Sequence, residues 1–248
     1  MKIFVLNLDK NVDRMDFMRR QLDAAGLEFE RFSGIYGIKL TPPEVRRAVS
    51  RVRSRLAMGF KLKLSHIGCT LSHVCLWRRI VEDGLPYALI LEDDIKIGPE
   101  FSKVLDRAEK FINAEKPQVV VFSNYGNTIC EGDDGIVPLK SFGCNDACLV
   151  TREAARRLVK ANYPIIRLPD CWGLFSRRYG IELFRMYPTT VSQDNDVFAS
   201  DMHDASVDPK KLLGTNGTGR TGLDLIVFRL RRMFEKGVDY ILYLMTGR

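Results

Sequence analysis

The apolar residues of this chain fall into two kinds of block, short unbroken runs and longer stripes spaced three or four apart. Strand-like blocks occupy 3–8, 87–91, 118–123, 144–150 and 181–187, with a shorter one at 28–32; 87–91 is an unbroken apolar run, and Val-Val-Val-Phe fills the middle of 118–123. Runs of this length without alternation predict strands buried on both faces, as in the largely parallel sheet of an α/β protein. The stripes predict helices. Met15, Met18, Leu22 and Ala25 mark one over 12–25, closed by Gly26. Val74, Trp77, Ile80 and Val81 mark another, with Ser65 as its cap. Gly98-Pro99-Glu100 opens a helix running to about residue 113, and Thr151 caps one that begins Arg152-Glu153-Ala154-Ala155. Pro42-Pro43 predicts a helix starting near Glu44, on which Val45, Val49, Val52 and Leu56 could form a single stripe. The glycine-bearing stretch 124–140 reads as a loop or hairpin excursion, 163–168 as an apolar bend and 188–203 as a polar cleft loop.

The first thirty residues run strand, helix, strand, a unit that can hold a nucleotide at the end of its first strand. Asn7, Leu8, Asp9 and Arg14 stand at that end. Capping of the following helix by Asp9 or Asn11 is the plainer use of those positions. The strands and helices together predict one α/β domain over 1–206, a linker over 207–222 and a separate helix over 223–248. In that tail, Leu223, Ile226, Leu230, Met233 and Phe234 fall at helical spacing, while Arg229, Arg231, Arg232 and Lys236 cluster among them. Charge interrupts the tail too often for it to span a bilayer. A basic amphipathic helix lying on an anionic membrane surface fits better, although its stripe could pack on the main domain or on a second copy as a homodimer.

Charge adds one further feature. The net charge of +7 comes from 38 basic residues set among 31 acidic ones, which implies a basic face and acidic partners rather than a polycation. Arg46, Arg47, Arg51, Arg53, Arg55, Lys61 and Lys63 make the strongest basic stretch. It reads as a solvated helix face, or as a patch attracting a phosphorylated acceptor or donor. With Phe60 as its single aromatic residue, and with an acidic cluster elsewhere, the stretch gives no expectation of a nucleic-acid partner. The six cysteines form no Cys-x-x-Cys pair. With an acid at Asp9, the opening segment does not match a signal peptide, so free thiols in a reducing cytoplasm are expected.

The chemistry concentrates where the run 87–91 meets Glu92, Asp93 and Asp94. In an open α/β sheet, the carboxyl ends of strands border the ligand crevice. Three adjacent carboxylates repel one another. A divalent metal carrying a diphosphate would offset them, the alternative being a solvated acidic turn. Ser72 and His73, just upstream, are placed to face the same crevice, whereas His66 reads as structural. Asp170, between a proline and Cys171-Trp172, is a candidate general base or acceptor ligand as well as a candidate helix cap. Asp194, Asp196 and His203 lie in the polar cleft loop; His203 could add a metal ligand, with an exposed loop histidine as the plainer reading.

Phe4-Val5-Leu6-Asn7-Leu8-Asp9 with Arg14, Gly68-Cys69-Thr70-Leu71-Ser72-His73, and Ala88-Leu89-Ile90-Leu91-Glu92-Asp93-Asp94 occur in this order. Together they resemble glycosyltransferase family 25, the bacterial lipooligosaccharide galactosyltransferases and their relatives. The likeness covers roughly 1–205. It implies a GT-A type fold with a mixed, mainly parallel sheet, and inverting transfer of a sugar, often galactose, from a UDP-sugar to a lipid-linked glycan. It also implies that Glu92, Asp93 and Asp94 act as the metal and donor motif, with Mn2+ or Mg2+ as cofactor. Asp170 is then the expected catalytic base, with Asp194 and Asp196 in reserve. The expected setting is the cytoplasmic side of a bacterial inner membrane, peripherally bound. A fold-retaining but inactive scaffold, or a nucleic-acid binder using 46–63, are the alternatives. The arginine-rich stretch 46–55 and the tail beyond Val207 have no counterpart in the resemblance.

Overall fold

The computed structural model describes residues 1–123 and 135–193. The expected linker, the tail helix and the boundary at 206 lie outside the described residues. In chain order the elements are β1 (Lys2–Asn7), α1 (Val12–Ala24), β2 (Glu30–Ser33), α2 (Pro42–Ala48), α3 (Arg51–Met58), α4 (Leu64–Glu82), β3 (Tyr87–Glu92), β4 (Ile95–Ile97), α5 (Phe101–Phe111), β5 (Gln118–Val121), β6 (Gly135–Leu139), β7 (Ala147–Thr151), α6 (Arg152–Asn162), α7 (Trp172–Tyr179), β8 (Glu182–Tyr187) and β9 (Val191–Gln193). A single 3-10 turn, Gly37–Lys39, follows β2.

One seven-stranded sheet has the order β2-β1-β3-β7-β5-β8-β6. β1 runs parallel to β2 and β3, and β5 runs parallel to β8, while β7 is antiparallel to both β3 and β5, and β6 to β8. Five strands therefore point one way and β6 and β7 the other, a mixed sheet of mainly parallel sense. Alternate side chains of the unbroken runs serve opposite faces. Phe4, Leu6, Ala88, Ile90, Val119, Val121, Cys148 and Val150 pack on α4, α6 and α7 through Trp77, Leu158, Trp172 and Phe175. Ile3, Val5, Leu89, Leu91, Val120 and Leu149 pack on α1 and α5 through Met18, Leu22, Phe101 and Leu105. Two cores explain why these strands carry no polar alternation. Among the described residues, no helix is long and apolar enough to cross a membrane.

Several local expectations change. The helix expected from Glu44 breaks into α2 and α3, because Val49 leaves helical geometry to bridge Ile165. There Ile165 N–H donates to Ala48 O at 2.7 Å, and Ser50 N–H donates to Ile165 O at 3.0 Å. Val49 is buried by this, whereas Val52 stays 72% exposed, so there is no single stripe. Ser65 is not a cap, since α4 already opens at Leu64 with Lys63 before it. Thr151 is one, its hydroxyl accepting the Ala154 N–H at 3.1 Å. The strand expected over 144–150 begins only at Ala147. Within 124–140, Gly135–Leu139 forms β6 at the sheet edge, where Pro138 need not donate to a neighbour. Within the loop expected at 188–203, Val191–Gln193 forms β9 and pairs antiparallel with β4.

The 3-10 turn and α4 meet backbone to backbone at two glycines, and this contact brings the end of β2 against the helix. A Cβ on Gly68 would lie 2.5 Å from both Gly37 N and Ile35 O. These are backbone atoms and cannot swing aside. Gly68→Ala should therefore lower stability by about 2 kcal/mol or more, read as a fall in the urea midpoint. Gly143→Ala, which meets nothing within 4 Å, should leave the midpoint unchanged. Equal midpoints for the two variants would show that the 35–37 turn is not held in this way.

Candidate active site

Parallel pairing sets Leu6 opposite Glu92, so Asn7-Leu8-Asp9 and Glu92-Asp93-Asp94 leave the sheet side by side. β7 runs the other way, and the residues just before it therefore arrive at the same end. There Glu92 N–H donates to Asp146 O at 2.8 Å. Five carboxylates gather at this edge: Glu92, Asp93, Asp94, Asp146 and Asp170.

Asp93 is the one most fully bound. Asn7 Nδ2 donates to its Oδ2 at 2.6 Å and Arg14 Nη1 to its Oδ1 at 3.0 Å. Asn7 is itself fixed, donating to Asn11 O and accepting from Arg31 Nε at 2.8 Å. Arg14, a buried cation, also lies 3.7 Å from Asp94 Oδ2. Part of the offsetting charge expected of a metal is thus supplied by the chain. Burial still pushes the Asp93 carboxyl up, against the pull of Asn7 and Arg14.

Glu92 is held through a directional chain. Cys148 Sγ donates to Asn145 Oδ1 at 3.3 Å, leaving Asn145 Nδ2 to donate to His73 Nδ1 at 3.0 Å. His73 then carries its proton on Nε2, 3.0 Å from Glu92 Oε1. Both ring nitrogens of the fully buried His73 are thereby committed. Cys69, His73 and Glu92 bring ligand atoms within 4.8 Å of one another. Burial, reinforced by Glu92, Asp170 and Asp94, keeps the Cys69 thiol well above its ordinary pKa. A protonated thiol and a committed imidazole make this trio a poor metal nest.

Asp94 differs. Its Oδ1 is buried and has no hydrogen-bond partner. Burial, then the charges of Glu92 and Asp93, push its carboxyl from 3.8 to about 7. An orphaned carboxylate oxygen beside Glu92 is the donor set a hard divalent cation prefers, so the residues present fit Mn2+ or Mg2+. Asp146 needs no such ion, because its Oδ1 accepts from Ser123 Oγ at 2.5 Å and from Ala147 N–H at 2.9 Å.

Leu6, Leu8, Arg14, the 34–38 turn, Ser65, Cys69 and Ser72 of α4, and all three acids line one cleft, about 710 Å3 and open to solvent. Ser72 has a bracing role: it accepts from Ile35 N–H and donates to Gly68 O, both at 2.8 Å. Asp9 is exposed and turned to the flank, where it takes Arg31 and the Ser33 hydroxyl at 2.7 Å. Neither Asp9 nor Asn11 caps α1 through its side chain: the cap position is Asn11, with no such bond. Asp170 lies within electrostatic range of Glu92, His73 and Cys69, its carboxyl raised chiefly by burial. Its helix-capping alternative fails, since Cys171 is the cap residue of α7 and Asp170 offers Trp172 only its main-chain oxygen. Asp194, Asp196 and His203 lie outside the described residues. Asn145 and Asp146 were missed in the sequence. The signal available was a polar pair directly before a buried run, the mirror of Glu92-Asp93-Asp94 directly after one.

The family model of glycosyltransferase family 25 (LPS biosynthesis protein) matches residues 1–171, over half of the 248. The chain belongs to glycosyltransferase family 25. The matched span includes the five carboxylates and Arg14 but ends before Asp194. This family-25 chain is 32% identical to a glycosyltransferase 25 family member of Anopheles gambiae over 104 residues, 41% of the chain and 18% of that protein. It is 30% identical to a putative glycosyltransferase of Haemophilus influenzae over 105 residues, 42% of the chain and 36% of that protein. With human procollagen galactosyltransferase 2 it shares 27% over 111 residues, 42% of the chain and 17% of that protein. The chain thus matches under a fifth of the insect and human proteins and about a third of the bacterial one.

A carboxyl whose folded pKa is raised binds its proton more tightly in the folded state. Its stability contribution therefore falls as pH rises from about 4 through about 7, and the penalty is complete above that. Asp94→Asn removes the penalty. The variant should be more stable than wild type at pH 8, by up to about 4 kcal/mol, and no more stable at pH 4. Denaturant midpoints at the two pH values check this; a gain of equal size at both would show that crowding of charge is not the cause.

Proposed function

We propose that this chain is an inverting glycosyltransferase that moves a sugar, galactose before others, from a UDP-sugar to a lipid-linked glycan of the lipooligosaccharide type. The buried, partnerless Asp94 oxygen at the carboxyl end of β3, inside the cleft between the β1 and β2 ends and α4, carries this reading. The name of the human procollagen relative supports galactose. The family's description supports an LPS-type acceptor.

In this reading Asp94 and Glu92 would hold a divalent ion, whose positive charge would stabilise a departing diphosphate. Asn7 and Arg14 fix Asp93, so that the turn carrying Asp94 keeps its shape when the site is empty or filled. His73, oriented by Asn145, keeps Glu92 turned toward the cleft. The acceptor hydroxyl oxygen bonds to the sugar's anomeric carbon as the bond to UDP breaks, and the hydroxyl proton passes to Asp170. A carboxyl raised by burial is the better proton acceptor near neutral pH.

The donor is tested by thermal shift with UDP-galactose, UDP-glucose, UDP-GlcNAc and GDP-mannose, each with and without Mn2+. One UDP-sugar should raise the melting temperature in a metal-dependent way, and Asp94→Ala should abolish the rise. A shift that survives in Asp94→Ala would remove Asp94 from the metal site, and no shift with any sugar would sink the donor assignment. The base is tested separately. Asp170→Asn should retain the donor shift but release UDP in the presence of acceptor about 100-fold or more slowly; turnover within tenfold of wild type would exclude Asp170 as the base.

A further inference from the structure

A second cavity lies behind the opening turns of α4. With its solvent-open mouth included it measures about 1440 Å3, against about 710 Å3 for the cleft. Its cationic lining comes from Arg51 and Arg55 of α3 and from Lys61 and Lys63 of the following turn, and none of the described residues that line it is acidic. Its floor is apolar. Val49, Leu62 and Ile67 are buried there in one cluster with Ala48 and Ile165, and Val45 packs against them. Leu64, 40% exposed, stands at its edge. The carboxylate closest in sequence, Glu44, is turned to the capping of α2, accepting the Thr41 N–H at 2.7 Å and the Thr41 hydroxyl at 2.6 Å. The break between α2 and α3 builds this floor, because it is Val49's turn toward Ile165 that buries the position.

The two cavities share a wall. On α4, Ser65, Cys69 and Ser72 follow one stripe and line the cleft, while Leu64 and Ile67 follow the next and line the basic pocket. The two spaces are therefore about one helix diameter, roughly 10 Å, apart. A cationic rim over an apolar floor matches a ligand in which an anionic group joins a hydrocarbon portion: the cations take the charge through charge-assisted hydrogen bonds, and the floor removes apolar surface from water.

We propose that this pocket binds the phosphate and the adjoining apolar portion of a phosphorylated amphiphile, and that this amphiphile is the anchor end of the acceptor. The second clause rests on the glycosyltransferase reading; the first does not. The anchor sits on the far side of the α4 wall, and the saccharide reaches over the helix start into the cleft.

The test measures binding to the full chain of three probes: dodecyl phosphate below its micelle concentration, inorganic phosphate, and neutral dodecyl maltoside. Wild type should bind dodecyl phosphate at least about tenfold more tightly than either other probe. Arg51→Gln/Arg55→Gln should lose at least about tenfold of that affinity, and added salt should weaken wild-type binding. Both arginines are exposed, so the fold should survive, and an unchanged melting temperature and donor shift in the variant confirm it. Equal affinity of variant and wild type overturns the proposal. Equal affinity for inorganic phosphate reduces the pocket to an anion site and overturns the amphiphile; equal affinity for dodecyl maltoside overturns the role of the cations. If the probes behave as expected but no UDP-sugar binds, the pocket stands and the acceptor meaning falls with the enzyme reading.

Discussion

A carboxylate taken out of water needs donors for both oxygens, and Asp93 obtains them from Asn7 and Arg14, 86 and 79 residues earlier in the chain. Those two hydrogen bonds join the end of β3 to the end of β1 and to the first turn of α1. Removing one partner of such a buried pair costs about 3–5 kcal/mol, since the other charge is left uncompensated. The turn that carries the acids is held from below by this pair and from beyond by β4 pairing with β9. Everything in the cleft is measured from that fixed turn.

With the turn fixed, three consecutive acids acquire three different characters. Asp93 is satisfied by the chain and serves the structure. Glu92 is aimed by a neutral histidine whose tautomer follows from Asn145. Asp94 keeps one buried oxygen, Oδ1, without a hydrogen-bond partner. Proteins rarely bury such an atom without a use for it. The free-energy cost of crowding these charges is therefore concentrated at one residue, where an incoming cation would relieve it.

Helix α4 divides the rest of the binding surface. Its glycine contact with the 35–37 turn lets the chain after β2 approach closely enough to close one side of the cleft. The neighbouring stripe of the same helix faces the arginine-bearing α3. One helix thus walls two spaces of opposite charge, the acid-lined cleft on one side and the pocket lined by arginine and lysine on the other.

The local pattern was enough to locate β3 and its terminal acids, because an unbroken apolar run ending in charge has few other uses. It was also enough for the stripes of α1 and the Thr151 cap, which depend on neighbours within four residues. It could not place Asn145 and Asp146 in the site, since that depends on β7 running antiparallel to β3, and strand direction leaves no trace in period-two patterning. Nor could it foresee the break after Ala48 or the pairing of β9, both made by partners far away in sequence. Local spacing told which apolar residues would be buried and that three acids would close β3. Which charges share one edge was settled by the assembled sheet, because register and strand sense are set by long-range hydrogen bonding that no local spacing encodes.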